Sequence, residues 1–409
     1  MSSSNNRIFY ACQAVALTVE GDTSIVSGDM IHGLQSVGMT TNFNLEQAFE
    51  LGQVEIYENI EGTPDIEVTL EKVLDGYPLI YHMASSGATA GGGNSNPSSG
   101  LVGRTKDRCD LRLGIFDESK NNVDTATQNN GDSEVEIYCS GMYISSLSYT
   151  IPVDGNATES VTLVGNNKVW LQGAATEIIN AAVTDFDGND SPLGMGVSGA
   201  ASGGIVRRED VILSGCILPK SIKGVIGSGY GNGIFSTSFD PSTVTNRVHL
   251  QSFSVSTDLS REDVLELGRK TPYYRPANFP VEVSCEIEAI TTSGDFVFGY
   301  EFGDSNLNLT IDSGNNTSNE MIYIWTRQGY GFDLGGKNRL ASVSYGGGDA
   351  GGGNVSCTYS YTNFNDLDVQ DAKTGQYYGW GALKNGHDGD GKANNIGQGA
   401  WPSFIGPNI

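Results

Sequence analysis

One stretch of the sequence occurs twice, and this repeat constrains the fold more than any other feature. Residues 34–64 align without a gap to residues 250–280, and after one dropped residue IEVTLE (66–71) aligns with VEVSCE (281–286). Self-similarity of this extent predicts an internal duplication. Because two copies are too few for a solenoid, we expect one domain that has been duplicated.

Composition favours strands and long loops over packed helices, with 55 glycines among 409 residues. A net charge of −25 makes the chain repel nucleic acid and anionic membranes at a distance. No apolar run approaches the ~18 residues of a membrane helix, and the N-terminal residues lack the apolar core of a signal peptide. We therefore expect assembly in the cytoplasm without a membrane.

The predicted fold class is mainly β, with two tandem antiparallel β-sandwich domains that each carry one short flanking α-helix. Regular spacing of short alternating segments between turn residues is the basis of this prediction. The predicted boundaries are 1–168 for the first domain, 169–206 for a connecting segment, 207–366 for the second domain and 367–409 for a C-terminal arm.

The flanking helix is predicted just after the first repeated strand in each copy. Asn44 is the candidate N-cap residue, and Gly52 ends the helix in the first copy. Ser260 and Gly268 take the same places in the second copy. Small polar residues satisfy the free amides of a first helical turn, and glycine accepts the positive φ of a helix end.

The last repeated strand is predicted to have one apolar and one polar face. Its residue types alternate strictly, as in a strand with one face in a core and the other in water. Alternate residues form a row instead of converging in a cleft, so the pattern favours a solvated or channel-lining row over acid–base catalysis. The polar positions are Glu67, Thr69 and Glu71 in the first copy, and Glu282, Ser284, Glu286 and Glu288 in the second.

No motif of catalysis, cofactor binding or metal binding has its required context. GMGVSG at 194–199 follows a polar run, whereas a dinucleotide fingerprint follows a strand. The acidic run 185–190 has Gly196 where a calcium loop needs its bidentate acid. The six cysteines form no CxxC pair and are expected as reduced thiols. We therefore expect no enzymatic activity, no cofactor and no metal.

The repeated blocks resemble the tail tube proteins of long-tailed bacteriophages. The resemblance is carried by LQSVGMTTNF, LEQAFELG and QVEIYENIEGTPDIEVTLEKVLDG and by their second-copy counterparts. It implies β-sandwiches whose inner sheets join around a ring, and rings that stack into a hollow tube. The family usually has sixfold rings with one domain per subunit, so a duplicated chain implies a trimeric ring, with a hexamer as the alternative.

The same resemblance implies a position for the polar row, a set of partners and a location. Glu67, Glu71, Glu282, Glu286 and Glu288 would line the lumen, with Thr69 and Ser284 between them. DNA and the tape-measure protein would pass through that lumen. Tail sheath, tail terminator and baseplate proteins are further expected partners, and the location would be the virion tail after assembly in the host cytoplasm.

Two other functions are compatible with the sequence. A tail hub or tail-completion protein also uses duplicated tube-like domains as a trimer, but it caps the tube. A carbohydrate-binding β-sandwich module would need exposed aromatic residues above a groove, and Tyr57 and Tyr273 are the only aromatic residues that recur in both copies.

Overall fold

The protein is mainly β, built from antiparallel sheets with few helices, as the sequence predicts. It is described here from a computed structural model. That structure describes residues 7–8, 10–20, 30–52, 54–85, 101–116, 133, 135–172, 177–178, 204–211, 216, 218–219, 222, 249–290, 321–347 and 353–371. Most of the predicted connecting segment and nearly all of the predicted C-terminal arm lie outside these residues.

The described part of the chain forms the following strands, two short helices and two short 3-10 turns. The strands are β1 (Gln13–Val19), β2 (Leu34–Asn42), β3 (Leu45–Phe49), β4 (Ile56–Glu61), β5 (Asp65–Val73), β6 (Cys109–Ile115), β7 (Val135–Pro152), β8 (Thr158–Gly165), β9 (Val169–Gln172), β10 (Glu177–Ile178), β11 (His249–Asp258), β12 (Glu282–Ile290), β13 (Tyr323–Trp325), β14 (Tyr330–Asp333), β15 (Arg339–Gly346), β16 (Ser356–Phe364) and β17 (Asp368–Asp371). The helices are α1 (Ile80–Met83) and α2 (Leu101–Arg104), and the 3-10 turns are Tyr10–Cys12 and Arg208–Asp210.

Eight strands run side by side through both halves of the chain in one main sheet. Their order is β15-β16-β12-β11-β7-β8-β5-β2, and every neighbouring pair is antiparallel. The first half contributes β7-β8-β5-β2, and the second half contributes β15-β16-β12-β11 in the corresponding order. The pairing of β11 with β7 therefore joins two four-stranded units into one sheet.

A second layer of strands covers the apolar face of this sheet. Strand β7 is 18 residues long and belongs to both layers, because its first part pairs with β6 and β9 and its last part with β8 and β11. In the second half, β13, β14 and β17 form a separate three-stranded sheet. The ring of Phe332 in β14 lies 4.8 Å from that of Tyr149 and 6.1 Å from that of Phe253, so this layer packs over the junction of the two halves.

The predicted flanking helix is a β-hairpin in the structure. Leu45–Phe49 forms strand β3, which pairs with β4 through contacts such as Ala48 with Glu58. The second half has no helix there either, and isolated bridges join Arg261 to Ala277 and Val264 to Tyr274. The helical spacing of LEQAFEL finds no apolar surface to pack against, and short helices need such packing for their stability.

The four predicted helix caps are therefore wrong as caps, although their backbone conformations are special. Asn44 and Ser260 have φ of 46° and 41°, and each backbone amide is held by the side chain two residues earlier. Gly52 and Gly268 have φ of 93° and 87° and lie in the turns of the two hairpins. The recurrence of these conformations shows that both hairpins leave the sheet with the same geometry.

Candidate self-association surface

The predicted polar row lies on one face of the main sheet. Glu67, Glu71, Glu282 and Glu286 are exposed there, and Thr69, Ser284 and Glu288 are half-buried. Residues that alternate with them point into the core, where Val68, Leu70, Val283, Cys285 and Ile287 are almost completely buried. Burying one such aliphatic side chain contributes roughly 1.5–3 kcal/mol.

Serine and threonine side chains continue this polar face across the neighbouring strands. Residues on β2, β7, β8, β11, β15 and β16 stand in register beside the glutamates and are exposed or half-buried. Sequence reasoning missed them, although their alternation with apolar residues is visible. They are Ser36 and Thr40, Ser146, Ser148 and Thr150, Thr158, Ser160 and Thr162, Ser252, Ser254 and Ser256, Ser342 and Ser344, and Thr358, Ser360 and Thr362.

Equivalent hydrogen bonds recur in the two halves and define which residues correspond. The hydroxyl of Ser36 donates to the carboxylate of Glu71 at 3.3 Å, and that of Ser252 donates to Glu288 at 3.4 Å. Glu71 therefore corresponds to Glu288, whereas the sequence alignment pairs it with Glu286. The second hairpin is one residue longer than the first, not one shorter. A two-residue shift keeps every side chain on the same face, so the pattern of alternation could not reveal it.

Strand β7, at one end of the first four-stranded unit, corresponds to β15, at the same end of the second unit. Strand β7 has a bulge at Ser145 and β15 has one at Ala341. After the bulge the sequences are SLSY (146–149) and SVSY (342–345), which is a second repeat that the sequence analysis missed. A residue of β15 thus corresponds to the residue 196 positions earlier in β7.

At the joint between the halves, the second hairpin folds over the edge of the first unit. The guanidinium of Arg261 donates to the carbonyl oxygen of Ile144 at 2.9 Å and lies 4.9 Å from the ring of Tyr143. The ring of Tyr274 meets that of Tyr143 edge-on at 6.5 Å. Burial lowers the pKa of Arg261 to about 10, which marks the cost of covering this charge.

An ion-pair cluster completes the same joint. Arg275 lies 2.6 Å from a carboxylate oxygen of Asp65 in the first half and 2.5 Å from one of Asp263 in its own hairpin. Hydrogen bonds to these two carboxylates raise the pKa of Arg275 against the opposing effect of burial. The hairpin is thus held to the first half by both ring packing and charge.

The outer strands of the sheet, β2 and β15, have free edges within the described part of the chain. Each pairs with one neighbour only. Val255 and Tyr149 face each other across the joint and are 1% and 0% exposed, whereas Tyr345, which corresponds to Tyr149, is 57% exposed. The residue corresponding to Val255 is Met39, which is half-buried. Core-facing side chains on β2 and β15 are therefore not shielded by a neighbouring strand.

The first hairpin is also rich in exposed apolar side chains. Its tip residue Leu51 is fully exposed, as is Leu267 at the tip of the second hairpin. Contiguous apolar surface of this kind is typical of association sites. The other exposed members in the first hairpin are Phe43, Leu45, Phe49, Val54, Ile56, Tyr57 and Ile60.

A buried carboxylate lies in the core behind the polar face of the sheet. Glu159 accepts hydrogen bonds from the backbone amides of Ile80 at 2.8 Å and Tyr81 at 3.1 Å, and from the hydroxyl of Tyr149 at 3.0 Å. Burial raises the pKa of Glu159 despite these donors. In the second half Cys357 takes this position, so the polar contact is particular to the first half.

The described residues contain no group of three or more side chains that would suit a metal ion. None of the six cysteines forms a disulfide, and five of them are buried. None of the helices described is both long and apolar enough to cross a membrane.

The sequence matches no protein-family model and no curated protein. Among solved structures, the tube-terminating cap of the anti-feeding prophage is 13% identical, with a TM-score of 0.28 over 41% of this chain and 93% of that chain. A chain of the sheath–tube complex of the extracellular contractile injection system PVC is 13% identical, with a TM-score of 0.27 over 42% and 96%. Hcp1 from Salmonella typhimurium is 10% identical, with a TM-score of 0.20 over 41% and 99%.

These neighbours include tube and terminator components of contractile injection systems. TM-scores this low do not establish a common fold, and each likeness spans about two fifths of the chain.

Proposed function

We propose that this chain is a structural, non-catalytic subunit of a phage tail tube, whose copies join edge to edge into a closed ring. The observation that carries the proposal is the joint of β11 with β7 inside the chain. Strand β2 corresponds to β11, and β15 corresponds to β7. The two free edges of the main sheet are therefore counterparts of the two strands that pair inside the chain. A free edge recruits another strand readily, and closure into a barrel removes it.

The joint inside the chain supplies the register for the joint between chains. Ser256 lies opposite Ser148, and Val255 opposite Tyr149. The corresponding residues place Thr40 of one chain opposite Ser344 of the next, and Met39 opposite Tyr345. The second pair would cover the ring of Tyr345 that the single chain leaves exposed.

Ring size follows from the number of strands in the main sheet. Three chains with eight strands each would close a barrel of 24 strands. Strands ~4.8 Å apart and tilted by ~40° would give a barrel roughly 50 Å across between opposite backbones. Such a barrel has room for a double helix, and we favour this trimer over a hexamer, whose barrel would be twice as wide.

The polar face would form the inner wall of the ring, because the apolar face is covered by the second layer of each half. The wall would carry hydroxyl groups and glutamates, including Glu67, Glu71, Glu282, Glu286 and Glu288. Screening limits their repulsion of DNA to about 8 Å at physiological salt, so DNA would be kept from adhering without being excluded from the centre. Rings would stack through the apolar hairpin tips at Leu51 and Leu267.

A cross-linking experiment tests the register directly. The double variant Thr40→Cys with Ser344→Cys should give chain-to-chain cross-links with a short bis-maleimide. Thr40→Cys with Val343→Cys is the matched control, since Val343 points to the opposite face and should cross-link much less. Equal yields from both variants, or none from either, would contradict the proposed joint.

Electron microscopy of the purified protein tests the tube itself. Long hollow tubes with threefold-modulated rings are the expected result. Single rings that do not stack would indicate a hub or completion protein that caps a tube. A monomer at all concentrations that binds a sugar would replace the proposal with the carbohydrate-binding alternative.

A further inference from the structure

The contacts of the second hairpin at the joint inside the chain can be carried over to the joint between chains. Inside the chain, Tyr274 of the hairpin packs edge-on against Tyr143, and Arg261 lies over the same ring. All three side chains lie where the second hairpin folds over the edge of the first four-stranded unit. The joint between chains must fill this place with the corresponding residues.

Strand pairing within the two hairpins identifies the counterpart of Tyr274. In the first hairpin Ala48 pairs with Glu58, and in the second Val264 pairs with Tyr274. Leu45 pairs with Glu61, as Arg261 pairs with Ala277. Both pairs give the same offset of 216, so Glu58 corresponds to Tyr274 and Leu45 to Arg261.

Strand pairing in the main sheet identifies the counterpart of Tyr143. Tyr143 lies opposite Val164 in β8, and Arg339 lies opposite Thr362 in β16. Arg339 is therefore the counterpart of Tyr143. The offset of 196 between the two bulges, and between the repeated SLSY and SVSY segments, also gives Arg339. The pair of tyrosines inside the chain is therefore replaced by a glutamate and an arginine at the joint between chains.

Both charged residues are available for such a contact. Glu58 and Arg339 are exposed, and neither takes part in an ion pair within the part of the chain that the structure describes. The replacement of Arg261 by Leu45 also removes the cation that would otherwise repel Arg339. An arginine retained at the position of Leu45 would place two cations beside one glutamate, so leucine at this position fits the pairing of Glu58 with Arg339.

We propose that Glu58 of one chain forms an ion pair with Arg339 of the next copy, and that this pair controls ring closure. The inference rests on the proposed ring. The aromatic joint forms once within each chain as it folds, while the ionic joint forms between chains and depends on salt. Opposite charges on the two free edges steer their encounter, and they disfavour pairing of two β2 edges, which would bring two Glu58 hairpins together.

Charge reversal and charge exchange test the pair. Arg339→Glu should raise the protein concentration needed for ring formation by roughly tenfold, because the loss of one interfacial charge pair weakens association by about that factor. Glu58→Arg should have a similar effect, and the double variant should restore assembly. Lys106→Glu is the matched control for Arg339→Glu, since it lowers the net charge by the same amount at an exposed site outside both edges.

A second double variant separates the ion pair from the ring. Glu58→Tyr with Arg339→Tyr recreates the tyrosine pair at the joint between chains. Wild-type assembly should weaken between about 50 mM and about 500 mM salt, because the Debye length falls from ~14 Å to ~4 Å over this range. Assembly of the double variant should not show this salt dependence. Circular dichroism should show all variants folded, because both side chains are exposed. If rings form and the reversals match Lys106→Glu, the ion pair is wrong and the ring stands. If the wild type forms no rings, the proposed function itself fails.

Discussion

Arg275 joins the two halves of the chain, with its guanidinium 2.6 Å from the carboxylate of Asp65. The arginine side chain is 8% exposed and the aspartate side chain 48%, so the pair is partly shielded from water. Charge-assisted hydrogen bonds in such settings are worth more than exposed ion pairs. The contact links the second hairpin directly to the first half by an ion pair.

Replacing Arg275 should therefore destabilise the joint inside the chain. We expect Arg275→Ala to lower the free energy of unfolding by about 2 kcal/mol, since it leaves Asp65 and Asp263 without their shared donor. Arg269→Ala in the same hairpin is the control. Arg269 and its partner Glu266 are both about half exposed and 3.6 Å apart, so its loss should cost under ~0.5 kcal/mol. Urea unfolding that gives equal losses would show that Arg275 does not hold the joint.

Glu159 should make the stability of the first half depend on pH. Its pKa in the folded protein lies above the ordinary value of 4.5 because the carboxyl is buried. The folded state therefore holds the proton more tightly than the unfolded state. The stability from this group is fully present below pH 4.5 and is lost as pH rises through the folded pKa.

Glu159→Gln tests this dependence, because glutamine does not titrate. Below pH 4.5 the variant should be less stable by about 1–3 kcal/mol, since the amide nitrogen of glutamine cannot accept a hydrogen bond, whereas the hydroxyl oxygen of a protonated carboxyl can. The difference from the wild type should narrow as pH rises from 4.5, measured by urea unfolding at closely spaced pH values. A difference that stays constant with pH would mean that the pKa of Glu159 is not raised on folding.

The sequence predicted the strands of the main sheet better than the hairpins that leave it. Alternation identified β5 because one face of this strand is buried in the core. The segment between Asn44 and Gly52 was predicted as a helix because the spacing of Leu45, Ala48 and Phe49 suits a helical stripe, whereas it forms the first strand of a hairpin. Its exposed strands have no buried face within the chain, so they show no alternation to reveal them.

The candidate site could be predicted only in part. The glutamate row was expected from the repeat, whereas the register between the two copies was not. A shift of two residues preserves the pattern of buried and exposed positions, and only the contact of Ser36 with Glu71 and its counterpart reveals it. The roles of Glu58 and Arg339 depend on pairing between strands far apart in sequence, which no local pattern records.

The glutamates of the polar face should control how the assembled protein interacts with DNA. Lysine in place of Glu67, Glu71, Glu282 and Glu286 should leave stability nearly unchanged, because all four side chains are exposed and such changes cost within about 0.5 kcal/mol. Assembled tubes of this variant should retain a short DNA duplex in co-sedimentation at low salt, while wild-type tubes should not.

The control replaces acidic residues with lysine at positions that lie outside the polar face. Asp154→Lys with Glu209→Lys reverses two exposed acids outside the polar face. These tubes should retain much less DNA than tubes carrying only Glu67→Lys and Glu282→Lys. Equal retention by the two double variants would show that net charge, and not the position of the glutamates on an inner wall, governs adhesion.

Leu70 and Ile287 occupy corresponding positions in the two halves, and both are completely buried. Either change to alanine should lower the free energy of unfolding by about 2–5 kcal/mol, from lost burial and the cavity left behind. Because β11 pairs with β7 along seven residues, the main sheet is continuous, and we expect both variants to shift one shared unfolding transition. Calorimetry or urea unfolding followed by circular dichroism measures this. Two separate transitions, with each variant shifting only one of them, would show instead that the halves unfold as independent domains and that the joint contributes little to their stability.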